Sequence, residues 1–401
     1  MTGPPATADA ARRVVRGAAF LMATSAIGPG FLTQTAVFTA QYRASFAFAI
    51  LASIVLDLGA QVVIWRTLVA TGTRAAPLAD ATAPGAGTLL TALVALGGIV
   101  FNVGNIAGAG LGLAALAGTP VALGAMLSAT LAVALFLAPD ATRAMDRVAQ
   151  SLGALMLALT AWIAISSRPP VGDALVRSVA PEVFAPLAIV TLVGGTVGGY
   201  IPFAGAHRLL DAGLRGADDA RRAARGALWG IGLASAMRIL LFLAVLGVVA
   251  GGGTLDAANP PASAFRLAAG EAGARAFGLV MWAAALTSVI GSAYTSISFV
   301  RSLVPAAEAR PRTATVAFIA LSTAIFLAVG RPVTLLVLAG ALNGLVLPLG
   351  LAVVLRAGAR RTEPGLPGPL LRVGGWAVAI VMAAMGLWTL ATSVPGLDAN
   401  R

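Results

Sequence analysis

Two charged residues, Asp57 and Arg238, lie deep within apolar segments of this sequence. A charge inside a bilayer is expensive to bury, so such a residue is a functional hypothesis by default and needs a partner. No other basic residue lies at the predicted depth of Arg238, which makes it the candidate partner of Asp57. The two form either a structural ion pair or part of a proton relay, in which Asp57 stays neutral in a polar cavity.

Uncharged polar side chains accompany two stretches that cannot continue a helix. Gln34 follows Gly28-Pro29-Gly30, and Thr196 lies within the glycine-rich residues 194–200. Because Gln34 can both donate and accept hydrogen bonds, it is the best single contact for a bound solute. Gln34 can instead stabilise the kink, and Asn343 can simply bridge two helices, a contact worth about 1 kcal/mol or less in membranes.

The Gly28-Pro29-Gly30 stretch interrupts an apolar run that is long enough to cross a bilayer. Pro29 has no N–H and clashes with the preceding turn, and its glycine neighbours add backbone freedom. An unpaired backbone group in lipid costs several kcal/mol, so a break there must face protein or a water-filled cavity. A matching break five spans later, at residues 194–200, predicts an inverted-repeat transporter with its site at the bilayer midplane.

The elements that position these residues are apolar helices. The chain of 401 residues is 59% hydrophobic and 10% charged, with a mean hydropathy of +0.92, which is typical of a polytopic membrane protein. Apolar runs near 20 residues predict eleven transmembrane helices. They cover residues 17–41, 46–69, 88–117, 119–138, 148–167, 184–205, 227–250, 276–300, 314–330, 333–355 and 373–393. We expect a single transmembrane domain over 1–401, with repeat one at 17–167, repeat two at 184–355 and an extra helix at 373–393.

The loop arginines predict the orientation. All 27 basic residues are Arg; 19 fall on one side of the predicted membrane, 7 on the other, and Arg238 is in a span. The positive-inside rule then places the N-terminus in the cytoplasm and the C-terminus outside, in the plasma membrane of a prokaryote. Although the net charge is +12, the arginines sit in short loops, so we expect the lipid bilayer and no nucleic acid as partner.

The motifs resemble those of the NRAMP family of proton-coupled divalent-metal transporters. Gly28-Pro29-Gly30-Phe31 falls where that family has Asp-Pro-Gly-Asn, and residues 194–200 resemble its Gly-Ala-Thr-Val-Met-Pro-His. Further similarities follow in order at residues 287–292 and 339–348. The resemblance implies the LeuT-like five-plus-five fold with broken helices 1 and 6, a divalent cation as substrate, and protons as a candidate coupling ion.

The resemblance also implies which residues stand at the cation site. The family binds its cation through side chains in spans 1, 6 and 10, whose positions here hold Gly28, Phe31, Gly198 and Gly340. The carbonyl-donor position is Gly195, the family's span 6 His is Tyr200, and Asn105 lies near the missing acidic relay of span 3. A transition metal needs ligands of matching softness and number, and Mg²⁺ or Ca²⁺ still needs a carboxylate. The replaced positions supply neither, so the sequence identifies no metal ligand.

We expect the substrate contacts to come from both breaks and from span 10. This candidate site comprises Gly28, Gly30, Phe31, Gln34, Gly195, Thr196, Gly198, Tyr200, Gly340 and Asn343, with Asp57, Arg238 and Asn105 as candidate relay or ion-pair residues.

The sequence thus predicts a secondary transporter that works by alternating access. Its substrate is a divalent cation by resemblance, or a small neutral or zwitterionic solute because the ligand side chains are replaced. A non-transporting membrane sensor or scaffold is the alternative from another class. We expect no enzyme and no cofactor, since the sequence has no cysteine, a single histidine and no nucleophile motif with a plausible base.

Overall fold

The computed structural model describes residues 8–138, 141–301 and 303–393, and every regular element in those ranges is helical. A 3-10 turn, Arg43–Ser45, joins the second and third α-helices. In chain order, α1 to α16 are Ala8–Ala26, Pro29–Tyr42, Phe46–Thr71, Ala75–Asp80, Ala86–Ala117, Val121–Leu137, Ala141–Ser166, Val171–Arg177, Pro186–Val197, Ile201–Asp211, Ala217–Ala250, Pro260–Val300, Pro305–Ala309, Pro311–Val329, Pro332–Ala359 and Pro369–Ser393.

All eleven predicted segments coincide with helices, but the number of spans is not confirmed. Eight helices in the described ranges are long and apolar enough to cross a membrane, or nine if a pair bent by 105° counts as one span. One of the eight runs from Pro29 to Thr71 and combines α2, the 3-10 turn and α3, which belong to two predicted segments. Helix α6, with 17 residues, is shorter than the roughly 20 residues of a typical transmembrane helix. The count of eleven therefore stays a prediction.

The first predicted break is present between α1 and α2. Helix α1 ends at Ala26, and α2 begins at Pro29, the position at which a proline loses no helical hydrogen bond. Gly28 takes an extended backbone, with φ −92° and ψ −178°, and offers no side chain to cap α2. The helix axis is therefore interrupted where the sequence predicted it.

The second predicted break separates α9 from α10. Gly198 is extended, with φ −89° and ψ 167°, and Gly199 adopts φ 56°, a left-handed conformation that favours glycine. The N–H of Gly198 still donates to the Gly194 carbonyl oxygen at 3.2 Å, and α10 restarts at Ile201. Two broken helices thus occupy the first and sixth predicted spans.

Helices α5 and α15 pack directly against these breaks. A Cβ at Gly108 on α5 would overlap the Pro29 ring, and one at Gly194 would overlap the α15 backbone at Gly340 and Gly344. Close helix approach through small residues is the usual packing mode in membranes. The four helices α2, α5, α9 and α15 therefore meet around the two breaks.

The predicted repeat boundaries and the orientation in the membrane stay predictions. The tail expected ahead of the first span includes residues 1–7, and the predicted outer C-terminus includes 394–401; both lie outside the described residues. The longest helix, α12, bends at Gly270, where φ is 66°, shortly before the predicted eighth span. Its second part, rather than its full length, corresponds to that span.

Candidate functional site

The Gln34 side chain lies between the two breaks. It is 0% exposed, and its Nε2 donates a hydrogen bond to the Leu336 carbonyl oxygen on α15 at 2.8 Å. Its Oε1 has no partner among the described residues and faces Gly195 on α9, where a Cβ would stand 2.7 Å from it. Gln34 thus joins α2 to α15 and turns one free acceptor toward the α9 break.

Three predicted site glycines surround Gln34. A Cβ at Gly340 would lie 2.5 Å from Gln34 Nε2 and 2.6 Å from the Thr191 carbonyl oxygen. A Cβ at Gly30 would lie 3.3 Å from the same Nε2. Together with Gly195, these positions leave room for the Gln34 amide because they carry no side chain.

Asn343 lies beside the second break and bridges helices there. Its Nδ2 donates to the carbonyl oxygens of Gly97 on α5 at 3.2 Å and of Ala339 at 2.8 Å. Its Oδ1 lies against Gly199, and a Cβ at Gly198 would stand 2.7 Å from the Asn343 carbonyl oxygen. The structure therefore gives Asn343 the bridging contacts that the sequence left as its alternative role.

Arg238 on α11 places a buried guanidinium next to both broken helices. Its Cζ lies 4.4 Å from the centre of the Phe31 ring in the first turn of α2, a cation–π contact. Nη2 donates to the Thr196 hydroxyl on α9 at 2.6 Å, and Nη1 donates to the Ser53 hydroxyl on α3 at 3.2 Å. A fixed positive charge is thus built into the region where the breaks meet.

Asp57 on α3 is the ionic partner of Arg238, as the sequence predicted. Its Oδ2 lies 3.7 Å from Arg238 Nη1, and both side chains are 1% exposed. That separation is longer than a hydrogen bond, so the two side chains make no direct hydrogen bond, although Thr196 is hydrogen-bonded to both. Asp57 Oδ1 and Arg238 Nε have no hydrogen-bond partner in the described chain. The pair is therefore buried but loose.

Tyr200 and Asn105 lie apart from this ion pair. Tyr200 is buried at the start of α10, with its ring edge-on to Phe101 at 5.6 Å and its hydroxyl hydrogen-bonded to Ser292. Asn105 is buried on α5, and its Nδ2 has no partner among described residues. Because no described contact links Asn105 to Asp57, its relay role stays a prediction.

Sequence reasoning missed a buried polar stripe on α3. Ser53, Asp57 and Gln61 recur at four-residue spacing, which places them on one helix face. Gln61 Nε2 and Trp65 Nε1 both donate to the Pro202 carbonyl oxygen on α10, at 3.4 and 2.9 Å. The spacing itself was the signal, because a polar residue every fourth position in an apolar helix marks a protein-facing side.

The residues at the breaks are buried within the protein. Gln34, Thr196 and Tyr200 are at most 1% exposed. Two described cavities lie elsewhere, beside Arg331 and Arg301. Within the described chain, no three His, Cys, Asp or Glu side chains come together as a metal site. The arrangement offers hydrogen bonds and one positive charge, but no set of anionic ligands.

Comparisons with known sequences match almost the whole chain. A family model described as natural resistance-associated macrophage protein-like, Nramp, matches residues 19–392. The uncharacterized membrane protein YcsG of Bacillus subtilis is 50% identical over 96% of this chain and 96% of its own. An uncharacterized membrane protein of Haemophilus influenzae is also 50% identical, over 93% of this chain and 95% of its own.

Comparisons with solved structures show the fold. A mutant manganese transporter of Eremococcus coleocola matches with a TM-score of 0.74 at 15% identity, covering 100% of this chain and 90% of its own. MhsT in complex with L-phenylalanine matches with a TM-score of 0.66 at 16% identity, covering 94% and 97%. The expected fold is confirmed: an all-helical, multi-pass membrane protein with the LeuT-like arrangement and a broken first and sixth segment.

Proposed function

Because the chain belongs to the Nramp family, we propose that it is a secondary transporter that works by alternating access around its two helix breaks. The burial of the breaks supports this proposal, since Gln34, Thr196 and Tyr200 are at most 1% exposed there. A substrate reaches them only when helices separate on one side or the other. Interrupted helices at the midplane are the usual place for such a site.

We propose a small organic solute, rather than a divalent cation, as the substrate. The observation that carries this is Arg238, whose guanidinium lies 4.4 Å from the Phe31 ring at the first break. Because Arg238 already pairs with Asp57, that carboxylate is not free to bind a cation, and no cluster of metal ligands is present among the described residues. What remains for a ligand are hydrogen-bonding groups such as the free Oε1 of Gln34.

A hydrated divalent cation is the second candidate substrate. It is favoured by the family and by the backbone of the second break, where Gly195 keeps the position of the family's carbonyl donor. In that case carbonyl oxygens and water would replace the missing side chains. Mg²⁺ keeps several waters in protein sites but is usually bound through at least one carboxylate, so this candidate would also require Asp57 to leave Arg238.

Uptake by purified protein in liposomes tests the proposal. The substrates are Mn²⁺, Mg²⁺ and a panel of labelled amino acids, carboxylic acids and polyols, each with and without a pH gradient. We expect an organic solute to accumulate, and Mn²⁺ uptake to equal that of empty liposomes. Gln34→Ala should abolish uptake, whereas Gln41→Ala, an exposed position on the same helix, should not.

Three outcomes contradict the proposal. Uptake of a divalent cation without any organic solute would overturn the substrate class, and the absence of any uptake by folded protein would favour a sensor or scaffold. Full activity of Gln34→Ala would move the site away from the first break. The proposal assigns no chemical reaction and no cofactor to the chain.

A further inference from the structure

We propose that the Arg238 guanidinium binds a carboxylate group of the substrate, and that Asp57 takes up one proton when Arg238 turns from it to that carboxylate. This inference rests on the proposed transport function and names the chemical class of its substrate. It is carried by unused hydrogen-bonding capacity on both members of the ion pair. It also gives a role to a charged pair that lies beside both helix breaks.

The guanidinium has donors to spare. Arg carries five N–H groups in a rigid fork that matches a carboxylate. In the described chain, Nη1 donates to Ser53, Nη2 donates to Thr196, and Nε donates to nothing. The Phe31 ring covers a face of the guanidinium and leaves its edge for hydrogen bonds. A carboxylate approaching that edge would find Nε free and a second N–H beside it.

The ion pair itself is poorly made. A guanidinium and a carboxylate in a good pair approach to about 2.8 Å and share two hydrogen bonds, whereas Arg238 Nη1 and Asp57 Oδ2 are 3.7 Å apart. Asp57 Oδ1 is buried without a donor. A buried orphaned atom on each partner is expensive in a purely structural pair. Such unpartnered atoms are expected where each residue binds something else in another state: a substrate carboxylate in the case of Arg238, and a proton in the case of Asp57.

The first turn of α2 adds backbone donors beside Arg238. Gly28 provides no side-chain cap for α2, and Leu32 N–H donates to the Gly28 carbonyl oxygen at 3.2 Å. The N–H groups of Gly30 and Phe31 precede the first helical hydrogen bond, and such groups bind anions at helix N-termini. The Phe31 side chain on the same helical turn contacts the Arg238 guanidinium through its ring.

The charges balance in the proposed exchange. Before binding, the Asp57 carboxylate and the Arg238 guanidinium cancel; afterwards the substrate carboxylate cancels Arg238, and protonated Asp57 is neutral. Arg238 from α11 is the charged group that acts on Asp57, and Thr196 from α9 is hydrogen-bonded to it. Other described helices packed against α3 also carry charges, such as Asp173 and Arg177 on α8 and Arg208 and Asp211 on α10, but none of these forms an ion pair with Asp57. One carboxylate and one proton therefore enter together, and the site never holds an uncompensated charge.

Ligand-dependent thermal unfolding of the purified chain tests the carboxylate claim. The probes are acetate, lactate, alanine and proline, each beside its amide. We expect at least one acid to raise the unfolding temperature and its amide to leave it unchanged. The double variant Asp57→Asn with Arg238→Gln keeps the site neutral and should bind that acid at least about tenfold more weakly, because the charged hydrogen bonds are gone. Arg225→Gln, an exposed position on the same helix, is the matched control and should bind normally.

Proton uptake tests the role of Asp57. Calorimetric titration with the stabilising acid, in two buffers of different ionisation enthalpy, should show one proton taken up per carboxylate by the native chain. Asp57→Asn should take up none, and the acid should stabilise it more than it stabilises the native chain, because Arg238 then lacks any other counter-charge.

Each contrary result is decisive. Stabilisation by no acid, equal stabilisation by the amides, or unchanged affinity in the double variant would overturn carboxylate binding by Arg238. Binding without proton uptake would overturn the role of Asp57. If neutral solutes are transported and acids are not, this inference fails while the proposed function stands; if only divalent cations are transported, both fail.

Discussion

Gly195→Ala tests whether the Gln34 side chain fills the space between the two breaks. The added Cβ would stand 2.7 Å from Gln34 Oε1, and its two next neighbours, at 3.5 Å, are also atoms of Gln34. Ordinary carbon–oxygen contacts are longer, so the amide must move. It cannot move freely, because Nε2 is hydrogen-bonded to the Leu336 carbonyl oxygen. The substitution therefore acts through one side chain.

The expected cost follows from these contacts. Overpacking a buried site costs about 1–3 kcal/mol, and loss of the Gln34 hydrogen bond adds about 1 kcal/mol. Replacing a helical glycine by alanine stabilises the helix by up to about 1 kcal/mol, which offsets part of this cost. We therefore expect Gly195→Ala to destabilise the native chain by about 1–3 kcal/mol. In a Gln34→Ala background the same change should be neutral or stabilising, so the coupling energy is about 1–4 kcal/mol.

Equilibrium unfolding of the four chains of this double-mutant cycle in detergent measures that coupling. Gly340→Ala is the contrast: its Cβ would also meet the Thr191 carbonyl oxygen at 2.6 Å, so removing Gln34 should not rescue it. Gly350→Ala, on the same helix α15 with no contact closer than 3.5 Å, should be tolerated. Additive effects of Gly195→Ala and Gln34→Ala would refute the packing described here.

Two further predictions concern contacts outside the central site. Trp65→Phe should destabilise the chain by about 1 kcal/mol, measured by urea unfolding, because it removes the hydrogen bond to the Pro202 carbonyl oxygen; an unchanged midpoint would contradict it. The hydrogen bond that Arg301 donates lowers the pKa of Glu308 on α13. This contact is therefore present above the ordinary pKa of Glu and is lost as pH falls through the lowered value. Amide hydrogen exchange in α13, corrected for its intrinsic pH dependence, should accelerate over that range, and the acceleration should be absent in Glu308→Gln.

The breaks could be predicted because their causes are local. Pro29 and the glycines around it exclude a continuous helix whatever surrounds them, and Gly199 stands where φ is 56°. The pairing of Asp57 with Arg238 could also be predicted, since each charge at that depth needs a partner. In the first case the alternative is a continuous helix, which Pro29 and the glycines make too costly. In the second it is an unpaired charge in the membrane, which is also too costly.

The hydrogen-bond partner of Gln34 could not be predicted from the sequence. The Gln34 donor is taken by Leu336, 302 residues along the chain, and only the packing of α2 against α15 brings them together. The cation–π contact between the Phe31 ring and Arg238 could not be predicted either. The family resemblance identifies position 31 only as one where a metal-ligand side chain has been replaced. The number of spans is also not fixed by composition, because helices of marginal length and charge fall on either side of any threshold.

Accessibility of introduced cysteines tests the central claim, alternating access at the two breaks, most directly. The chain has no native cysteine, so the maleimide has no native thiol to label. Thr33 and Thr191 are suited to replacement, since both are buried and their hydroxyls have no partner among described residues. In oriented vesicles, a membrane-impermeant maleimide should label Thr33→Cys and Thr191→Cys from either face, and cross-linking one side closed should abolish labelling from that side alone. Labelling from one face only, or from neither, would contradict alternating access.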